Sequence, residues 1–107
     1  MGIKFYKVII TPIAYKEISK IYEYIAEELY ATKAAQNLMQ KVEKHIQVLR
    51  YSPRMYPKIR KIDNLRRRYR RIVINNYIIL YTIDEQKKIV FTSHMYYGGK
   101  NYIDNEF

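Results

Sequence analysis

The chain has 107 residues, of which 20 are Lys or Arg and 10 are Asp or Glu, giving a formal net charge of +10. That length allows one domain, taken as residues 1–107, and the apolar share of 49% is that of a globular chain, not a disordered one. With no Cys and two distant His, His45 and His94, the sequence offers no disulfide framework and no ligand-spaced metal site, so no metal or other cofactor is expected. No apolar run reaches the length of a membrane helix, and the first residues lack the apolar stretch of a signal peptide, so a cytoplasmic protein is expected.

Lys4 to Thr11 is short and rich in β-branched and aromatic residues, which predicts a strand. Thr11-Pro12 is a helix start, with a hydroxyl to cap and a ring suited to the first turn. Ala14, Ile18, Ile21, Ile25 and Leu29 then recur at spacings of three and four, one apolar helical stripe. Thr32 is a second candidate N-cap. Ala35, Leu38, Val42, Ile46 and Leu49 form a second stripe, stopped by Ser52-Pro53. So short a link makes the two helices an antiparallel hairpin.

Tyr51 to Asn64 is broken by Pro53 and Pro57 and reads as a loop. The period then changes to two. Strands are predicted over Arg67 to Ile74, Tyr77 to Ile83 and Ile89 to Tyr97, joined by turns at Asn75-Asn76 and Glu85 to Lys88. Tyr77 to Tyr81 is apolar on both faces, which marks a central strand. The predicted fold is a two-layer α+β domain in the order β-α-α-β-β-β, an antiparallel sheet with the helix hairpin on one face.

The strongest local signal is charge. Lys58, Arg60, Lys61, Arg66, Arg67, Arg68, Arg70 and Arg71 fall within fourteen positions, against Asp63 alone. Guanidinium groups suit bidentate contact with phosphate or carboxylate, so this run is a candidate surface for an anionic partner. The competing explanation is an edge strand kept charged against aggregation. The 13 Tyr make a second signal, since Tyr serves both half-buried core positions and interfaces. His94, Tyr96, Tyr97, Lys100 and Tyr102 near the end supply groups able to do acid–base work on a phosphodiester, with arginines to stabilise charge. The residues leave open whether His94 is structural or functional; His45, on the second helix, reads as structural.

Several segments resemble the RelE/ParE superfamily of toxins from type II toxin–antitoxin systems. They are Val8-Ile9-Ile10-Thr11-Pro12-Ile13-Ala14, Ile21 to Ile25, Leu49-Arg50-Tyr51-Ser52-Pro53, Tyr69 to Asp84, and Tyr97-Gly98-Gly99-Lys100-Asn101-Tyr102. The resemblance implies a toxin that arrests bacterial growth until an antitoxin protein covers its basic surface. It implies one of two targets. ParE-like members inhibit DNA gyrase and are not nucleases; RelE-like members cut mRNA on the ribosome without a metal. Nuclease members tend to carry Arg just after the first Tyr of the central strand, where this chain has Ile78. That residue and the Gly-Gly-Lys-Asn-Tyr ending favour the ParE branch. On the nuclease alternative, His94, Tyr97 and Arg71 would be catalytic. On either, Lys58, Arg60, Lys61, Arg67, Arg68, Arg70, Arg71 and Lys100 would hold the target. A further alternative is a basic nucleic-acid-binding module that is not a toxin, although the chain carries no recognised motif for one.

Overall fold

The computed structural model describes residues 5–59 and 68–98. Strand β1 (Lys7–Ile10) leads into helix α1 (Pro12–Glu23), a π-helical turn (Tyr24–Glu28) and helix α2 (Thr32–Tyr51). Strands β2 (Arg70–Ile74), β3 (Tyr77–Asp84) and β4 (Ile89–Tyr97) follow. Thr11 caps α1 as its chemistry suggests: its hydroxyl accepts from the Ala14 N–H at 3.2 Å. The expected cap at Thr32 is displaced by one residue, because Ala31 holds the non-helical cap position and Thr32 is already helical. Tyr30, at φ 51°, makes the tight reversal between the helices.

The first apolar stripe breaks at its end. Leu29 donates to the Tyr24 carbonyl five residues back, at 3.1 Å. This wider turn rotates the following residues, so Leu29 is 52% exposed and does not join the core as its spacing predicts.

The sheet order is β1-β4-β3-β2. The α+β, two-layer reading holds, with one change to the sheet. β2, β3 and β4 pair antiparallel, but β1 lies parallel to β4, so the sheet is mixed. Two hairpins make β4 run in the direction of β2. The helix hairpin and the long segment after it return the chain so that β2 runs in the direction of β1. The β2–β3 hairpin turns at Asn75 and Asn76, with φ 49° and 71°, the left-handed pair a two-residue turn requires and Asn tolerates.

The main core lies between helices and sheet. Ile25, Ala35, Leu38, Val42 and Leu49 meet Ile72, Ile74, Ile79, Tyr81, Val90 and Met95. Leu49 is fully buried, and its truncation to Ala would cost about 2–5 kcal/mol. The opposite face holds a smaller cluster of Ile59, Ile78 and Leu80 with Tyr69 and Tyr96. β3 is therefore buried on both faces, as its unbroken apolar run predicts.

Candidate target-binding surface

The loop after α2 decides what the basic run can do. Lys58 bridges to Arg70, the Ile59 N–H donates to the Tyr69 carbonyl at 2.9 Å, and the Arg71 N–H donates to the Pro57 carbonyl at 3.1 Å. This short segment thus closes the outer edge of β2 over its first residues. The Tyr81 hydroxyl, at the centre of the core, donates to the Pro53 carbonyl at 2.5 Å. Burial pushes that hydroxyl well above the ordinary tyrosine pKa, and the Arg70 guanidinium offsets part of the shift.

The arginines of the run divide by strand alternation. Arg70 points to the helix side, where its guanidinium donates to the carbonyls of Tyr56 at 2.6 Å and Arg54 at 3.2 Å. It is a strut holding the loop against the sheet. Arg71 points to the other side. Lys58 and Arg68 are exposed, and with Arg54 and Arg70 they line an open groove of about 1250 Å³. Asp84 and Glu85 line it as well. Glu85 pairs with Arg54 and accepts from the Tyr6 hydroxyl at 2.9 Å. Arg60, Lys61, Arg66, Arg67 and Lys100 lie outside the described residues.

The three groups named for a nuclease do not form one cluster. Arg71 pairs across β2–β3 with Leu80, and Leu80 pairs across β3–β4 with His94. Arg71 and His94 therefore share a row on the face away from the helices, two strand spacings or about 10 Å apart, with buried Leu80 between them. Tyr97 pairs with Tyr77 and stacks edge-on to it at 5.4 Å. Tyr77 packs against the helix-side core, so Tyr97 lies on the other face of the sheet. Burial, and then the neighbouring Tyr97 and Tyr24, push the Tyr77 hydroxyl above its ordinary value.

Glu17 of α1, which the helical pattern only places off the apolar stripe, is a partner of His94. Leu80 pairs with His94 and Tyr81 with Thr92, so Ser93 is an extra, bulged residue of β4. β1 ends its pairing at Thr92. Beyond that point Glu17 takes over: its carboxylate accepts from the Met95 N–H at 2.9 Å and faces His94 Nδ1 at 3.3 Å. A contact 77 residues apart in sequence leaves no local signal. His45 sits half-buried against the Tyr56 ring, which lowers its pKa by desolvation.

Among the described residues no group of three or more His, Asp or Glu is placed to hold a metal ion. No described helix is long and apolar enough to cross a membrane.

A family model, the ParE toxin of type II toxin–antitoxin systems, matches residues 8–94. The chain belongs to the ParE toxin family. This match covers every described strand and helix except the ends of β1 and β4. The fold agrees. A chain from the chromosomal ParDE toxin–antitoxin system of P. aeruginosa superposes on this ParE-family chain with a TM-score of 0.67. The two share 11% identity over 84% of this chain and 92% of that one. A chain from the RelBE2 toxin–antitoxin complex of Mycobacterium tuberculosis superposes with a TM-score of 0.60. It is 18% identical over 90% of this chain and 94% of that one. No curated relative matches the chain.

Proposed function

We propose that this ParE-family toxin arrests growth by binding DNA gyrase through a protein–protein contact, and that a cognate antitoxin protein neutralises it. The observation that carries the reading is the middle of the sheet face away from the helices. Ile78 there is 1% exposed and packs with Ile59, Leu80, Tyr69 and Tyr96. An apolar, filled centre has no cation with which to hold a scissile phosphate. Arg71, paired with Leu80, and exposed Lys58, next to Ile59, stand beside it, as a rim suited to an acidic protein surface. Membership in the ParE family supports the same branch. The antitoxin partner is carried over from the two structural neighbours, which come from a ParDE system and a RelBE2 toxin–antitoxin complex.

The second reading, a ribosome-dependent mRNA endonuclease, draws on one observation. His94 is held by Glu17 and lies in one row with Arg71, an acid–base group and a cation on the same face. Inducible expression with mapping of transcript 5′ ends separates the two. Growth arrest with intact transcripts, together with loss of gyrase supercoiling by the purified chain at micromolar concentration, is the expected result. New transcript ends at codon-related positions, with supercoiling untouched, would replace the gyrase reading by the nuclease one.

A further inference from the structure

The two edges of the sheet are treated differently. The β2 edge is closed at its start by the Pro57–Ile59 segment, through two backbone hydrogen bonds. Among the described residues, the β1 edge is open beyond Tyr6. Lys7 and Thr11 donate their N–H groups inward to the carbonyls of Lys88, just before β4, and Thr92, within it, at 2.9 and 3.0 Å. By alternation, Tyr6, Val8 and Ile10 turn their backbone groups outward. Tyr6 is satisfied by the Arg50 carbonyl at 2.8 Å, at the end of α2. Val8 and Ile10 have no hydrogen-bonded partner on that side among the described residues.

A groove of about 480 Å³ runs along this edge, between β1 and α2. It is lined by Phe5, Lys7, Val8, Ile46 and Arg50 among others. Phe5 is 50% exposed and meets the exposed Tyr51 ring edge-on at 5.0 Å, which leaves an aromatic platform at one end. Outside the groove, Ile10 at the end of β1 and Ile13 at the start of α1 are also exposed. Lys7 and Arg50 are both exposed, and no acidic residue lines the groove.

We infer that the β1 edge is a strand-addition site for an extended, acidic segment of the partner protein, which pairs with Val8 and Ile10 as a fifth strand. Resting on the antitoxin reading, this adds where the segment binds and by which chemistry. Backbone pairing supplies affinity, and alternate side chains reach the Phe5–Tyr51 platform and the Ile46 wall. Lys7 and Arg50 select an acidic chain. They also disfavour a second copy of this chain, whose net charge is +10.

The test uses the full chain, tagged and co-expressed with its cognate antitoxin. Amide hydrogen exchange is read for the free chain and for the complex. Exchange at Val8 and Ile10 should slow at least tenfold on complex formation. Lys7→Glu with Arg50→Glu should weaken the complex at least tenfold, while Lys87→Glu on the β3–β4 turn leaves it within about twofold; circular dichroism should show all variants folded. A complex that forms without slowing Val8 and Ile10 overturns the strand addition. Slowed exchange with undiminished affinity in the double variant overturns the acidic character of the segment. If no complex forms at all, the antitoxin reading itself fails, and this proposal with it. A dimer of the chain alone, with the same two amides protected, would give the edge to a second copy and overturn the proposal.

Discussion

The Tyr81 hydroxyl donates to the Pro53 carbonyl at 2.5 Å, tying the centre of β3 to the start of the loop that carries the basic run. Both residues are buried, so neither group reaches water if the bond is lost. Replacing Tyr81 with Phe should therefore cost about 1–3 kcal/mol, read from urea denaturation at neutral pH. An unchanged midpoint would mean that the loop is held without this bond.

The same hydroxyl sets an alkaline limit. Burial raises its folded-state pKa above the unfolded value of about 10. The folded chain then keeps a proton that the unfolded chain releases. The stability this represents is fully present below pH about 10 and is lost as the pH rises beyond it. Between pH 9 and pH 11 the wild-type urea midpoint should fall more than that of Tyr81→Phe. Parallel curves would count against the buried, neutral phenol as the cause.

Arg70 and Arg68 are near neighbours in the sequence but should answer to different assays. Arg70 holds two loop carbonyls, at 2.6 and 3.2 Å, and Arg68 is exposed at the groove. Arg70→Ala should lower stability by about 1–3 kcal/mol, because two charge-assisted bonds are lost, the one to Tyr56 partly buried. Arg68→Ala should leave stability within about 0.5 kcal/mol. Growth arrest by Arg68→Glu should weaken without any loss of fold. A stable Arg70→Ala chain would show the loop to be anchored elsewhere.

The contrast shows what a sequence carries and what it does not. Helical stripes at Ala14–Ile25 and Ala35–Leu49, the Asn75-Asn76 turn and the two-sided apolar run of β3 are readable because each is set by local spacing. Parallel pairing of β1 with β4 was not, since it depends on how the chain returns after α2. Leu29 left the core because one π-helical turn shifts a stripe that spacing alone continues. Among the basic residues, alternation separates Arg70 from Arg71, yet nothing local tells that Arg70 is spent on Tyr56 and Arg54. Glu17 was invisible as a partner of His94 for the same reason: the contact is made by the fold.

Ile78 offers a direct test of the apolar face. It stands where the nuclease resemblance would have Arg, and it is 1% exposed. Ile78→Arg would put a charge where no acid is within the cluster of Ile59, Leu80, Tyr69 and Tyr96. The burial penalty for an unpaired ion is several kcal/mol. The expected outcome is a destabilised chain with no gain of transcript cleavage. A folded variant that cuts mRNA would show that the face opens to solvent and to RNA.

Glu17 supports the far end of β4, where β1 no longer reaches. Its carboxylate accepts the Met95 N–H at 2.9 Å and lies beside His94. If that acceptor matters, Glu17→Ala should cost about 1–3 kcal/mol, since Met95 is buried and its N–H has no ladder partner on that edge. Glu17→Gln keeps a carbonyl oxygen at the same place and should recover more than half of the loss. The two variants also separate structure from chemistry at His94. On the gyrase reading, Glu17→Gln arrests growth as the wild type does, because that reading gives His94 no catalytic role. A Glu17→Gln chain that folds normally but no longer arrests growth would give the His94–Glu17 pair a chemical role and favour the nuclease.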